Sequence, residues 1–297
     1  MTMFKKMIKP KYPPRHWSLV GYPGSGKSTF AAKMDGPKLV IDSDHRFSEA
    51  MEIGDDTYAL SDDPMDNVDT DNIYRELHRN MPNSGIKTII VDSLTAIITP
   101  IVMKVMIDKE KGRSRNLMAG MKEKAMAMRQ LQDAVSRWGT DILWIYHLQD
   151  GRDGRSNEVT KNSISETELA RLMRSINLRL KVVQNENLRG IEILWARRGR
   201  SNITIWDESG TWDNMPTRIE EAVYENLSDD EKMKIESDAP SFFPDSETAI
   251  AWGFEKEAFT SIQGSRMAYE NLKTERNPKT AQEMAAYWVT KVQSKIL

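Results

Sequence analysis

Residues 17–34 constrain the chain more than any other stretch. A short apolar run, Trp17-Ser18-Leu19-Val20, leads into Gly21-Tyr22-Pro23-Gly24-Ser25-Gly26-Lys27-Ser28-Thr29. Phe30-Ala31-Ala32-Lys33-Met34 then continues as a helix-forming string. This is G-x-x-x-x-G-K-[ST] between a predicted strand and a predicted helix, the context in which the pattern marks a phosphate site. Gly21, Gly24 and Gly26 let the backbone take positive φ and approach an anion with no Cβ in the way. Successive N–H groups form an anion-binding nest where the helix begins. In that geometry Lys27 reaches the β- and γ-phosphates of a nucleotide and Ser28 holds Mg2+. Residues 21–29 are therefore candidate nucleotide-binding residues, the alternative being a glycine-rich turn that binds nothing.

Further apolar runs follow in an order that suits an α/β sheet. Gly36-Pro37 breaks the chain, and Lys38-Leu39-Val40-Ile41-Asp42 reads as a buried strand leading into Ser43-Asp44-His45-Arg46. Residues 55–71 carry Asp55, Asp56, Asp62, Asp63, Asp66, Asp69 and Asp71 with no lysine or arginine, and read as a solvated loop around a short strand at 57–60. A helix is expected over 72–81. Lys87-Thr88-Ile89-Ile90-Val91-Asp92 is a second buried run ending in a carboxylate, the Walker B pattern, so Asp92 is a candidate to act on Mg2+ through water.

Residues 99–108 are predicted helical, and Lys109, Lys111, Arg113 and Arg115 then cluster around Gly112. Apolar positions Met121, Ala125, Met128, Leu131, Val135 and Trp138 mark an amphipathic helix over 117–138. Ile142 to Tyr146 is a strand ending at His147. Residues 150–165 read as a polar loop with two glycines and the basic residues Arg152, Arg155 and Lys161. Strands are expected at 176–183 and 191–196, the second followed by Arg197, Arg198 and Arg200. Ile203–Trp206, the turn 207–210 and Thr211-Trp212 read as a hairpin.

Length and composition bound the class. The 297 residues suffice for one large α/β domain and a smaller module. Hydrophobic residues at 39% and charged residues at 29% are ordinary for a soluble globular chain. A net charge of −2 gives no bulk attraction to nucleic acid, so DNA binding would need local basic patches. With no cysteine, disulfides, cysteine–zinc sites and thiol catalysis are excluded. No run is long enough for a signal peptide or a membrane span, which is compatible with the cytoplasm. Residues 1–15 form a basic, proline-punctuated arm, read as solvated, with a nucleic-acid or subunit contact as the alternative.

The segment Ile41-Asp42-Ser43-Asp44-His45 resembles RecA at its catalytic glutamate, and Ile89 to Pro100 is similar to the RecA Walker B strand and the turn after it. Element order agrees up to about Asn202. The family resembled is the phage RecA-core single-strand annealing proteins. The resemblance implies a RecA-like ATPase core, ATP with Mg2+, single-stranded DNA as partner, and a homo-oligomer with ATP at subunit interfaces. It also allows a single-stranded-DNA-binding protein as a further partner.

The resemblance implies roles position by position. Asp44 falls at the glutamate that activates the attacking water, one methylene shorter. His147 falls at a glutamine that senses the γ-phosphate, the alternative being a strand-end histidine. Lys109, Lys111, Arg113 and Arg115, and Arg152, Arg155 and Lys161, fall in the two DNA-binding loops, the alternative being solvated loops. Arg197, Arg198 and Arg200 fall near cations that reach a neighbouring subunit's γ-phosphate, the alternative being a solvated strand end.

Beyond Trp212 the resemblance gives no guidance. Ser228-Asp229-Asp230-Glu231 reads as a capping box and 239–244 as a linker. Helices are expected at about 246–255, 258–275 and 280–296, sharing a core of Trp252, Phe254, Phe259, Met267, Tyr269, Leu272, Met284, Tyr287, Trp288 and Val292. The expected layout is a basic arm (1–15), a RecA-like core with a mostly parallel sheet flanked by helices (16–227), a linker (228–244) and a three-helix module (245–297). The expected function is ATP-dependent recombination or strand annealing. Alternatives are a packaging or helicase-loading motor, a nucleotide-gated assembly module and a P-loop kinase.

Overall fold

A computed structural model describes residues 10–50, 53–111, 117–152, 158–185, 188–227, 240, 242–256 and 258–296. The chain separates into two compact units, Met1–Leu227 and Ser228–Leu297.

The first unit is built on strands β1 (His16–Gly21), β2 (Lys38–Asp42), β3 (Thr57–Ala59), β4 (Thr88–Asp92), β5 (Asp141–Arg152), β6 (Glu158–Asn162), β7 (Leu178–Asn185), β8 (Leu188–Ala196) and β9 (Ile203–Trp206). Their order is β3-β2-β4-β5-β1-β7-β8-β9, with β6 on β5. Every pair from β3 to β7 is parallel. The β7–β8, β8–β9 and β5–β6 pairs are antiparallel. Helices α1 (Lys27–Ala32), α2 (Thr70–Asn80), α3 (Leu94–Glu110), α4 (Leu117–Ser136), α5 (Glu166–Leu172) and α6 (Met215–Tyr224) complete the unit.

Both faces of the sheet are covered, which is why its strands read as continuous apolar runs. Side chains alternate with period two. Ile89, Val91, Ile142 and Trp144 pack on one face with Leu77, Met128 and Leu131. Ile90, Leu143 and Ile145 pack on the other with Phe30, Trp212 and Ile219. Burying both faces of the parallel strands fixes their register, and the register fixes which residues emerge at the strand ends.

The structure differs from the sequence reading at several points. The polar loop expected at 150–165 is largely a hairpin, because β5 continues to Arg152 and pairs with β6. The predicted helix at 99–108 begins earlier, at Leu94, and carries Pro100 inside it. The partner of β9 is β8, not residues 211–212. Trp212 instead turns inward, wholly buried, with its N–H on Asp207 Oδ2 at 3.0 Å.

The acidic stretch 55–71 is not one solvated loop. Asp56 pairs with Lys38 at 2.9 Å, Asp63 accepts from the Met65 N–H, and Asp69 caps α2. Of the basic arm, residues 1–9 lie outside the described residues. Its end is docked at Arg15, which is buried and pairs with Glu220 at 2.7 Å, whereas Lys11 pairs with Glu225 at 2.7 Å and stays largely exposed.

The second unit holds α7 (Ser246–Glu255), α8 (Ile262–Arg276) and α9 (Ala281–Ile296). Phe243, Ile250, Tyr269, Leu272, Met284, Trp288 and Val292 form its core, and the Trp288 indole N–H donates to Ala249 O at 2.7 Å. Phe254, Met267 and Tyr287, expected in this core, are exposed. On α8 the inward stripe runs through Ser265, Tyr269 and Leu272, which leaves Met267 on the opposite side. The capping box expected at Ser228 lies outside the described residues. No helix among the described residues is long and apolar enough to cross a membrane.

Candidate nucleotide site

The carboxyl ends of β1, β2 and β4, and His147 within β5, meet at one edge of the sheet. Gly21 pairs in register with His147, and Asp42 with Asp92. Open α/β sheets bind ligands at this edge, where chain segments diverge to either side. Here β1 sits between β5 and β7, so the loop after β1 has the Asp92 and Asp44 segments on one flank and β7–β8 on the other.

The loop itself has the geometry its glycines allow. Gly24 and Gly26 take φ of 74° and 88°. Lys27 is buried, and its Nζ donates to Tyr22 O at 2.7 Å and Gly21 O at 3.1 Å. Burial pulls its ammonium down to about 8, against the opposing pull of Asp92 and Asp44. A cation held by two neutral carbonyls in a desolvated site is short of countercharge, and a phosphate would supply it.

Ser28 Oγ donates to Asp92 Oδ2 at 2.6 Å. Asp92 is 4% exposed. Burial pushes its carboxyl up, the Ser28 bond pulls it down, and the charge of Asp44 pushes it up again. A hydroxyl and a buried carboxylate side by side are hard oxygen donors of the kind Mg2+ takes, and a cation would relieve the crowded negative charge. Among the described residues no group of three or more His, Asp or Glu forms an all-protein cage. Mg2+ needs only one or two side chains, with phosphate and water completing its shell.

Asp42 is spent on structure: its carboxylate accepts from the N–H groups of Arg46 and Phe47. Asp44 faces the site, 3.3 Å from His147 Nε2. That bond, with help from Ser93, holds its carboxyl below the usual range despite partial burial. The backbone N–H of His147 lies 3.1 Å from Ser163 Oγ and 3.3 Å from Thr95 Oγ1, so α3 and the segment after β6 both fix this strand position. The Nδ1 of His147 is buried with no partner among the described residues.

The remaining candidates are dispersed. Arg197 donates to the carbonyls of Met173, Arg174 and Ile176, and Arg200 to those of Ala222 and Asn226. Both are turned onto their own chain, and Arg198 alone of the three is exposed without such an anchor in the described bonds. Lys109 lies in α3, with exposed Lys111 just past its end. Arg152 ends β5, and exposed Lys161 is on β6. Arg113, Arg115 and Arg155 lie outside the described residues.

Two neighbours of the loop were not legible in the sequence. Tyr22 Oη donates to Asp150 Oδ1 at 2.7 Å and lies 2.9 Å from Thr160 Oγ1, tying the loop to the β5–β6 hairpin. On the other flank, Arg189 of β8 and Trp212 lie against Gly26. No local pattern marks either pair, since both depend on strand order.

Solved structures similar to this chain include the following two. One is a RadB recombinase, with 15% identity, a TM-score of 0.39, and coverage of 66% of this chain and 87% of that one. The other is a KaiC-like protein from the hyperthermophilic archaeon Pyrococcus horikoshii OT3, with 16% identity, a TM-score of 0.40, and coverage of 67% and 88%. No curated relative matches the chain. A family model described as an AAA domain matches residues 14–184, a span that holds the phosphate loop, Asp44, Asp92 and His147 and exceeds half of the sequence. The chain belongs to that AAA-domain family.

Proposed function

We propose that this chain is a Mg2+-dependent, RecA-type ATP-binding protein that acts on single-stranded DNA in recombination or strand annealing. The observation that carries the reading is the convergence of Lys27, Ser28, Asp92, Asp44 and His147 at one edge of a parallel sheet. The loop amides and Lys27 bind the β- and γ-phosphates of ATP. Ser28 and Asp92 are the residues that would hold Mg2+, which when bound neutralises charge on the phosphoryl oxygens. Asp44, kept ionised by His147, accepts the proton of the attacking water. His147 stands beside that carboxylate as the γ-phosphate sensor.

The DNA half of the reading is supported by chain path. β5 runs from His147 into the hairpin that carries Arg152 and Lys161, and α3 ends at the basic cluster of Lys109, Lys111, Arg113 and Arg115. Basic residues suit phosphate contacts on a single strand. ATP at an interface between copies would bring Arg198, rather than the anchored Arg197 and Arg200, toward a neighbour's γ-phosphate.

ATP turnover with and without single-stranded DNA, run beside an annealing assay, tests this function. The expected result is turnover raised by single strands together with faster annealing. Turnover without DNA and with transfer to a small acceptor would favour a kinase. Dependence on duplex would favour a motor. One feature favours a second reading, a nucleotide-gated assembly module: Asp44 is short and already engaged by His147. ATP-dependent assembly with no turnover would select it.

A further inference from the structure

Trp212 is wholly buried, yet its indole Nε1 has no hydrogen-bond partner among the described residues. A buried N–H without an acceptor is uncommon and costly. The turn that presents it is tightly made. The Asp207 carboxylate, itself 2% exposed, accepts from the Ser209 N–H, the Ser209 hydroxyl and the Trp212 N–H. Trp212 takes a φ of 63°, a strained value for so bulky a residue. Strain of this kind persists where surrounding structure imposes it, and it concentrates at ligand sites.

The indole N–H lies beside the last glycine of the phosphate loop. A Cβ built on Gly26 would meet Trp212 Nε1 at 3.1 Å and Arg189 Nη1 at 2.6 Å. Arg189 stacks over the Trp212 ring at 5.3 Å and is anchored through Nη2, which donates to Gly210 O at 2.6 Å. Its other terminal nitrogen is the one laid against the loop. One unpartnered indole donor and one guanidinium thus flank the same glycine, a pairing suited to an anionic oxygen.

Sheet order says which part of a nucleotide they would meet. Asp92 ends β4 and Asp44 follows β2, on one side of β1, whereas Arg189 lies on β8, on the other. The reacting γ-phosphate belongs with the carboxylates. The opposite flank is left for the phosphate nearest the ribose.

We propose that Arg189 and the Trp212 indole N–H bind the α-phosphate of the nucleotide. This rests on the reading of residues 21–29 as the nucleotide site. Contacts to a group that does not react hold ground state and transition state alike, so they act on affinity and KM and leave kcat unchanged.

The test is calorimetric titration of ATP, ADP and GTP, each with Mg2+, into wild type, Arg189→Gln, Trp212→Phe and Lys27→Ala, with kcat and KM measured where turnover occurs. Arg189→Gln should weaken all three nucleotides by a similar factor, roughly ten- to a hundredfold, the worth of a hydrogen bond to a charged group. KM should rise with kcat unchanged. A second readout does not need the variants to bind. In 1H–15N spectra the indole signal missing from Trp212→Phe should move downfield in wild type on saturation with ADP. If Arg189→Gln keeps wild-type affinity and that signal does not move, while Lys27→Ala loses binding, the proposal is overturned and the site stands. A changed preference between ATP and GTP in Arg189→Gln would place the contact on the base and also overturn it. If wild type binds none of the nucleotides, the reading of the site itself fails.

Discussion

Tyr22 Oη donates to Asp150 Oδ1 at 2.7 Å, joining the phosphate loop to the β5–β6 hairpin. The same residue's main-chain oxygen accepts from Lys27 Nζ at 2.7 Å. When Lys27 turns to a phosphate, Tyr22 loses one bond while its side chain still grips the hairpin. Tyr22→Phe should therefore leave ATP affinity within about twofold and lower DNA stimulation of turnover about fivefold, the size of a coupling near 1 kcal/mol. Equal stimulation in both proteins would show that the hairpin does not report on the loop.

The two carboxylates should fail differently. Asp92→Asn should cut turnover roughly a hundredfold or more while MgATP still binds, because an amide is a poor partner for Mg2+ where phosphoryl charge develops. Asp44→Asn should bind ATP normally and lose hydrolysis. Steady-state turnover and nucleotide titration on both variants check this. Wild-type turnover in Asp92→Asn would remove it from the metal site. Undetectable turnover in the wild type would void the role given to Asp44.

Lys27 makes the site pH-dependent with a defined sign. Its ammonium sits at about 8 in the free protein, and a bound triphosphate would favour the charged form and raise that value. ATP affinity should be full below pH 8 and fall as pH rises through it, with about one proton taken up per ATP bound near pH 9. The fold without nucleotide behaves oppositely. An unfolded lysine titrates near 10.5, so the unfolded chain holds more protons between 8 and 10.5, and Lys27 makes the fold more stable across that window as pH rises. Titrations at pH 9 in two buffers of different ionisation enthalpy count the proton. No uptake would contradict the placement of Lys27 at the phosphates.

How far the sequence reached depended on how local each signal was. The runs 38–42, 87–92 and 142–146 were legible because a strand buried on both faces is apolar through its middle, with polar residues only at its ends. The far part of β5 was not, because past Leu148 the exposed Gln149 and Asp150 leave the core and look like loop. Helix α5 was marked by a capping box, Ser165 and Glu168, but seven residues give too little periodicity to notice. Helix α6 went unread, although Pro216 stands in its first turn. At the site, the loop and Asp92 carry their own pattern. Arg189 and Trp212 do not, because strand pairing brings β8 and the 207–214 turn to Gly26.

DNA binding should be electrostatic and loop-borne. The chain is nearly neutral, with a net charge of −2, yet the segments 109–115 and 150–164 carry Lys109, Lys111, Arg113, Arg115, Arg152, Arg155 and Lys161. Each phosphate neutralised on a single strand contributes about 0.7 to the log–log salt slope. Neutralising Arg113 and Arg115 should flatten that slope by roughly one to one and a half units, with similar loss on all sequences. Unchanged affinity and slope would move the DNA path elsewhere, first to the arm around Lys5 to Lys11.

A nucleotide held by Lys27 is what joins the phosphate loop, Asp92 and Asp44 into one site. The most direct measurement is calorimetric titration of MgATP into wild type and Lys27→Ala, with thermal unfolding of both followed by circular dichroism. Saturable binding is expected in the wild type and a loss of roughly ten- to a hundredfold in the variant, the worth of hydrogen bonds from a charged donor. The variant should still unfold cooperatively. A folded Lys27→Ala protein that binds MgATP as tightly as the wild type would contradict that role of Lys27.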